Sequence, residues 1–307
     1  MKTLIPILVL VLLPFQYLYA AATTYSGDGE YVVNETLEGV ILEDTVSVTI
    51  GPGAVITTDG VDLNDQSHVD VTGGMIDGGL HLYDDSTAEV SGGEIDTNIR
   101  AYDQSNVVMT GGGANIGYNI ENRGSGLIQI YGGEVGSNVE NRGSGLIQLY
   151  GGEVGSNLTT YSGSIEVYGG TIGSNVLSGW GSTSGTSVYF YGGHIENYVS
   201  NGEDALFYME GGTLDNFITG SDTSQTVLVG LFDLSYGTYG VSDWIDGGQT
   251  LSGTLADGSP FNNEVRLLDS ATLTLSAPAQ AVPDTGSTAA LLGAGVAALA
   301  FARRRLG

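Results

Sequence analysis

Asp65, Asp84 and Asp103 each stand eight residues before a Gly-Gly pair, and Asp85 follows the second of them. If the segments that carry them stack, the three carboxylates form a column that repels itself unless something neutralises it. Calcium, a hard cation that takes six to eight oxygen ligands, is the ion that would do so at Asp65, Asp84, Asp85 and Asp103. The competing reading is a solvated acidic corner, because no loop of fixed calcium-binding spacing accompanies them. Tyr131, Tyr150, Tyr168 and Tyr191 immediately precede their own Gly-Gly pairs, and Tyr189 and Tyr208 stand two positions earlier in theirs. Rings in such a row stabilise neighbouring segments by stacking, or else stack on sugars or abut another surface protein. Asn98, Asn119, Asn138, Asn157 and Asn175 recur in the same way and read as an amide hydrogen-bond ladder.

The elements that must position these residues are written in a repeat. The stretch Glu121–Asn138 recurs as Glu140–Asn157 with one change, Ile130 to Leu149, a period of 19 residues. Gly-Gly pairs begin at Gly73, Gly92, Gly111, Gly132, Gly151, Gly169, Gly192 and Gly211. Before each pair, apolar residues alternate with polar ones, as in Ile128 and Ile130 or Ile147 and Leu149, and apolar residues return three and seven positions after the first Gly, as in Val154 and Leu158. Strict alternation puts these residues on one face of short strands. A unit this small cannot fold alone, so stacked units must share a core. The pattern predicts an all-β, right-handed parallel β-helix with coils of about 19 residues. Glycines at the corners supply backbone conformations that other residues resist.

Enzymes built on parallel β-helices, the pectin-lyase-like class, act mostly on acidic polysaccharides. Such lyases need a strong base beside a cation-holding acid cluster, and hydrolases need paired carboxylates. Arg100, Arg123 and Arg142 are the only strong bases of the repeats. Arg123 and Arg142 adjoin Asn122 and Asn141 rather than acids, which reads as solvated turn residues. His68, His81 and His194 occupy three different repeat positions. No catalytic residue is expected, and no cofactor beyond calcium.

Composition narrows the partners. Of 307 residues 50 are Gly, about twice the ordinary share, none is Cys, and the net charge is −27. With Lys2 and Arg303–Arg305 at the ends, only Arg100, Arg123, Arg142 and Arg266 lie between. So acidic a surface repels phosphate backbones and excludes nucleic acid as a partner. Without disulfides, packing and backbone hydrogen bonds must hold the fold.

The ends carry addresses. Residues 1–20 run from Lys2 through an apolar stretch to Ala20, the order of a secretory signal peptide. Val282-Pro283-Asp284-Thr285-Gly286 is followed by an apolar run to Ala302 and then Arg303-Arg304-Arg305, which would hold a transmembrane helix by the positive-inside rule. This end resembles the bacterial PEP-CTERM sorting signals, in the variant with Val-Pro-Asp-Ser-Gly, Thr285 standing in the place of Ser. The resemblance implies an exosortase-type processing enzyme and delivery to the cell surface, outer membrane or extracellular matrix. The same five residues also resemble the Leu-Pro-x-Thr-Gly signal of sortases, with Val282 in place of Leu. The expected organisation is a signal peptide (1–20), an N-terminal cap with irregular coils (21–60), β-helix repeats (61–220), a C-terminal β cap (221–280) and the sorting signal (281–307). The expected role is structural, adhesive or matrix-forming, with a surface polysaccharide or another surface protein as partner. A carbohydrate-binding or polysaccharide-degrading β-helix is the alternative.

Overall fold

Every coil repeats one strand pattern because its alternating residues have only one dry place to go. In the computed structural model, which describes residues 22–179, 185–241 and 248–278, Ile128, Ile130, Val135 and Val139 of one coil and Ile147, Leu149, Val154 and Leu158 of the next are all buried. The expected signal peptide and the sorting segment with its transmembrane helix lie outside the described residues. Three parallel sheets run along the solenoid. Strands such as Leu127–Ile130 and Leu146–Leu149 form the first, Glu134–Val135 and Glu153–Val154 the second, and Val139–Asn141 and Leu158–Thr160 the third. Leu127 pairs with Leu146 and Val139 with Leu158, so like positions stack one coil apart. Among the described residues there is no α-helix.

The Gly-Gly corner needs both glycines, for different reasons. Gly152 has φ +88°, which a side chain resists, and a Cβ on Gly151 would lie 2.8 Å from the Tyr131 carbonyl oxygen of the coil before. At Gly111-Gly112-Gly113 the register slips between Met109 and Gly113, which absorbs the extra residues of that unit.

The coils begin well before the Gly-Gly rhythm. Thr23–Tyr25 pairs in parallel with Val40–Leu42, and Glu30–Val33 with Ser47–Ile50. In that coil Gly51-Pro52-Gly53 takes the corner, so a search for Gly-Gly passes over it. At the other end Pro260–Leu267 extends the third sheet and Thr272–Ser276 the first. Before them in the chain, Gln249–Leu255 pairs antiparallel with both Gly230–Phe232 and Pro260–Val265. These antiparallel strands give backbone partners to an end that would otherwise be a bare edge.

One inward position is not apolar throughout. Nine residues after the first Gly the sequence places Leu82, Ala101, Asn141, Thr160, Ser178 and Asn201, with Asn122 in the longer unit, and all are buried. Asn122 and Asn141 donate from Nδ2 to the carbonyls of Gly126 and Gly145, at 2.9 and 2.8 Å. Asn122 Oδ1 in turn accepts from the Gly124 N–H at 3.2 Å, whereas Asn141 Oδ1 is buried without a partner, so the Asn122 amide costs little and the Asn141 amide holds its corner through Nδ2 alone.

Candidate functional site

The aspartate column is present, and its geometry explains it. Asp65, Asp84 and Asp103, with Asp44 a coil earlier, adopt φ of 57°, 55°, 48° and 63°, the left-handed region that Asp and Asn tolerate best among residues with a side chain. Each carboxylate faces the coil before it. The N–H of Asp44 donates to Asp65 Oδ2 at 3.1 Å, that of Asp65 to Asp84 Oδ2 at 3.2 Å, and that of Asp84 to Asp103 Oδ2 at 3.2 Å. The amides of Asp44, Asp65 and Asp84 are thus each met by the next coil's carboxylate. Asp85 lies beside the column, where it lines a shallow groove with Gln66 and Asp65. Among the described residues no three His, Asp or Glu side chains converge on a point where a metal ion would sit.

The tyrosine column is equally regular. Ring centroids of Tyr131, Tyr150, Tyr168 and Tyr191 are 4.6, 4.9 and 5.1 Å apart in sequence, with planes within 3°, 7° and 16° of parallel. Because the rings lie face to face, what they turn to solvent is edges and hydroxyls. Beside them runs a second ladder. Gln129 Nε2 donates to Gln148 Oε1 at 2.9 Å, and Gln148 Nε2 to Glu166 Oε2 at 2.8 Å. Tyr168 Oη also donates to Glu166, at 2.9 Å; this hydrogen bond, with burial and the carboxylate charge behind it, pushes the phenol up to about 12. Tyr208 is likewise pushed up to about 12, by burial first and then by its bond to Glu210. The expected asparagine ladder is there too. The N–H groups of Asn119, Asn138, Asn157 and Asn175 donate to the side-chain oxygen of the preceding asparagine at 2.9 to 3.3 Å.

The arginines correct the sequence reading. Arg123 and Arg142 do not sit beside asparagines alone: each reaches two residues back along its strand to Glu121 and Glu140 at 2.6 Å. Asn122 and Asn141, between them in sequence, point inward. Arg100 of the preceding coil approaches Glu121 at 3.5 Å, and Arg142 stands 4.0 Å from it. Three guanidinium groups so cover Glu121 that its side chain is only 5% exposed. Arg123 is raised above the usual arginine value: burial pulls it down, but the hydrogen bond and charge of Glu121 outweigh that. Arg142 lies over the Tyr161 ring at 4.5 Å and Arg266 over Phe217 at 4.0 Å. The signal that finds this cluster is the i, i+2 rule for one strand face, carried across coils. The histidines stay apart: His68 contacts Asp70, His81 contacts Asp62, and His194 lies 3.6 Å from Asp215.

The fold body is thus a β-solenoid whose outward polar side chains form axial ladders. Residues 281–306 match the VPDSG-CTERM motif, a sorting signal processed by an exosortase-type enzyme. The match includes Val282, Pro283, Asp284, Thr285, Gly286, Arg303, Arg304 and Arg305, and it implies secretion and surface association for a chain whose body is a β-solenoid. No curated protein and no solved structure matches the chain.

Two outcomes follow from the ladders. Asp84→Ala removes an acceptor and puts at φ 55° a residue that tolerates the left-handed region less well than Asp, and should cost about 1–3 kcal/mol in urea melts. Asp84→Asn keeps both the acceptor and the tolerance for this φ, and should stay within about 0.5 kcal/mol of the parent. For Tyr168, ionisation followed by ring-carbon NMR should lag well behind the free value of 10.0, and Glu166→Ala should bring it down. Because the folded value is raised, stability from this contact is complete below pH 10 and is lost as the pH rises towards 12.

Proposed function

We propose that this protein is a structural and adhesive element of the bacterial cell surface or extracellular matrix, an acidic rod held outward by its sorting signal. The observation that carries the reading is where the polar side chains spend their hydrogen bonds. Asp65, Asp84 and Asp103 meet backbone amides of the coil before, Gln129 and Gln148 meet the next side chain of their own column, and Glu121 and Glu140 are held by arginines. Catalysis needs the opposite, groups from different positions converging on one reacting atom. Glu121 and Glu140 lie one coil apart, but each is tied to its own arginine, which argues against their use as an acid and base pair. The acidic corner is read as structural on the same ground. Thermal melts in calcium and in chelator, at fixed ionic strength to remove general screening, should coincide.

A rod that works by its length and surface tolerates loss of a coil, whereas an enzyme whose site spans the coils does not. Deleting residues 121–139 joins Ile120 to Glu140, equivalent points of two near-identical coils, and shortens the rod by roughly 4.8 Å. The shortened protein should be secreted, keep its β circular dichroism and still appear at the surface. Failure to fold, or loss of a hydrolytic activity found in the parent, would overturn the reading. Replacing Arg303, Arg304 and Arg305 with uncharged residues should leave unprocessed or mislocalised protein, visible by fractionation, because the Arg cluster anchors the cytoplasmic end.

A further inference from the structure

The corner that precedes the first sheet changes type along the rod. It is an aspartate corner at Asp44, Asp65, Asp84 and Asp103, and again at Asp204, Asp222 and Asp269, all with positive φ. Between these runs three consecutive coils carry Gly124-Ser125-Gly126, Gly143-Ser144-Gly145 and Ser162-Gly163-Ser164 instead, and the corner of the coil after them includes residues 180–184, which lie outside the described residues. Loss of the larger side chains opens a trough of about 650 Å³ along the axis. Its floor is Ser125, Leu127, Ser144, Leu146 and Ser164; Gln104 and Asn106 stand at one end and Tyr189 at the other. From the Gln104 coil to the Tyr189 coil is four steps of roughly 4.8 Å, or about 19 Å.

The floor is shaped from within. Asn122 and Asn141 take core positions that hold Leu82 and Ala101 in earlier coils, and their amides bind the carbonyls of Gly126 and Gly145. Asn141 Nδ2 also reaches the Ser164 carbonyl at 2.9 Å, tying two adjacent corners together. Along each coil the trough is bracketed by Arg123 and Arg142 on one side and by the Gln129, Gln148 and Glu166 ladder on the other. Apart from the Glu166 carboxylate the bracketing groups are charge-paired or amide, and the floor offers hydroxyls and two partly buried leucines at an axial repeat close to the length of one sugar residue in an extended chain.

We propose that this trough binds a linear, neutral, hydroxyl-rich polysaccharide lying along the rod axis, one sugar to each coil. The proposal rests on the matrix role above and supplies its partner. Serine hydroxyls and the Gln104 and Asn106 amides meet sugar hydroxyls, while Leu127 and Leu146 lie under the apolar ring faces. An acidic polymer is disfavoured by Glu166 and by the net charge of −27. The tyrosine column, its ring faces already filled by one another, is a wall and not the platform.

Calorimetric titration of the secreted protein with cellohexaose, maltohexaose and hexagalacturonate tests this. At least one neutral hexasaccharide should bind, and the anionic one should not. Ser144→Trp, which fills the exposed floor, should weaken binding at least tenfold, and Ser156→Trp, at another corner of the same coil, should not; circular dichroism melts show that both variants fold. A Ser144→Trp variant that fails to fold is replaced by Ser125→Trp, with the same expectation. Absence of binding by both neutral hexasaccharides, unchanged binding in the filled variant, or stronger binding of hexagalacturonate overturns the proposal. Failure of the coil-deletion experiment would instead strike the matrix reading, and it leaves this titration unaffected.

Discussion

Everything in this molecule depends on the backbone hydrogen bonds that join each coil to the next. Parallel pairing fixes the coils at a single spacing and in a single register, so a residue's nearest neighbours across the gap are its own equivalents. Inside, this lets branched and aromatic residues fill a continuous core, Ile128 on Ile147 on Ile165, with each coil drying the next. Outside, it compels every polar choice to be a choice about a column. A side chain that cannot tolerate a copy of itself roughly 4.8 Å away must find another partner or destabilise the rod.

The chain meets that demand in a different way at each position. Tyrosines tolerate themselves by stacking, glutamines by having both a donor and an acceptor so that one side chain passes a hydrogen bond to the next, and asparagines by accepting the backbone N–H of the asparagine in the following coil. Carboxylates can do neither. Those of the aspartate corner turn to the backbone amides of the coil before, and Glu121 and Glu140 draw arginines from their own and adjacent coils. The few arginines between the termini are therefore not scattered: all four lie on the third sheet or the turn that follows it, and Arg123, Arg142 and Arg266 each pair with a glutamate two residues earlier. In so acidic a protein that leaves little free positive charge on the rod.

This arrangement also explains why the functional reading is about surface and length. Columns distribute chemistry evenly along an axis, which suits a partner that is itself a repeating polymer. At the trough between the aspartate corners a run of coils departs together from the corner type on either side, and the polar core residues Asn122 and Asn141 depart with it.

The sequence by itself determined the all-β solenoid, its 19-residue coil, the inward residues and the sorting signal, because periodicity and a terminal motif are local properties of the chain. It also disclosed the tyrosine and asparagine columns, since equal repeat positions must stack once coils do. Only the tertiary structure decided what the outward charges do. The partners of Glu121 include Arg100 and Arg142 from the coils on either side, and the acceptor for the Asp65 amide is a carboxylate 19 residues on. Such pairings depend on side-chain reach and left-handed backbone at a corner, not on residue type alone. The same holds for the first coils, which lack the Gly-Gly sign but pair in the same parallel sheets, because what defines a coil is the hydrogen-bond register and not the corner residues that serve it.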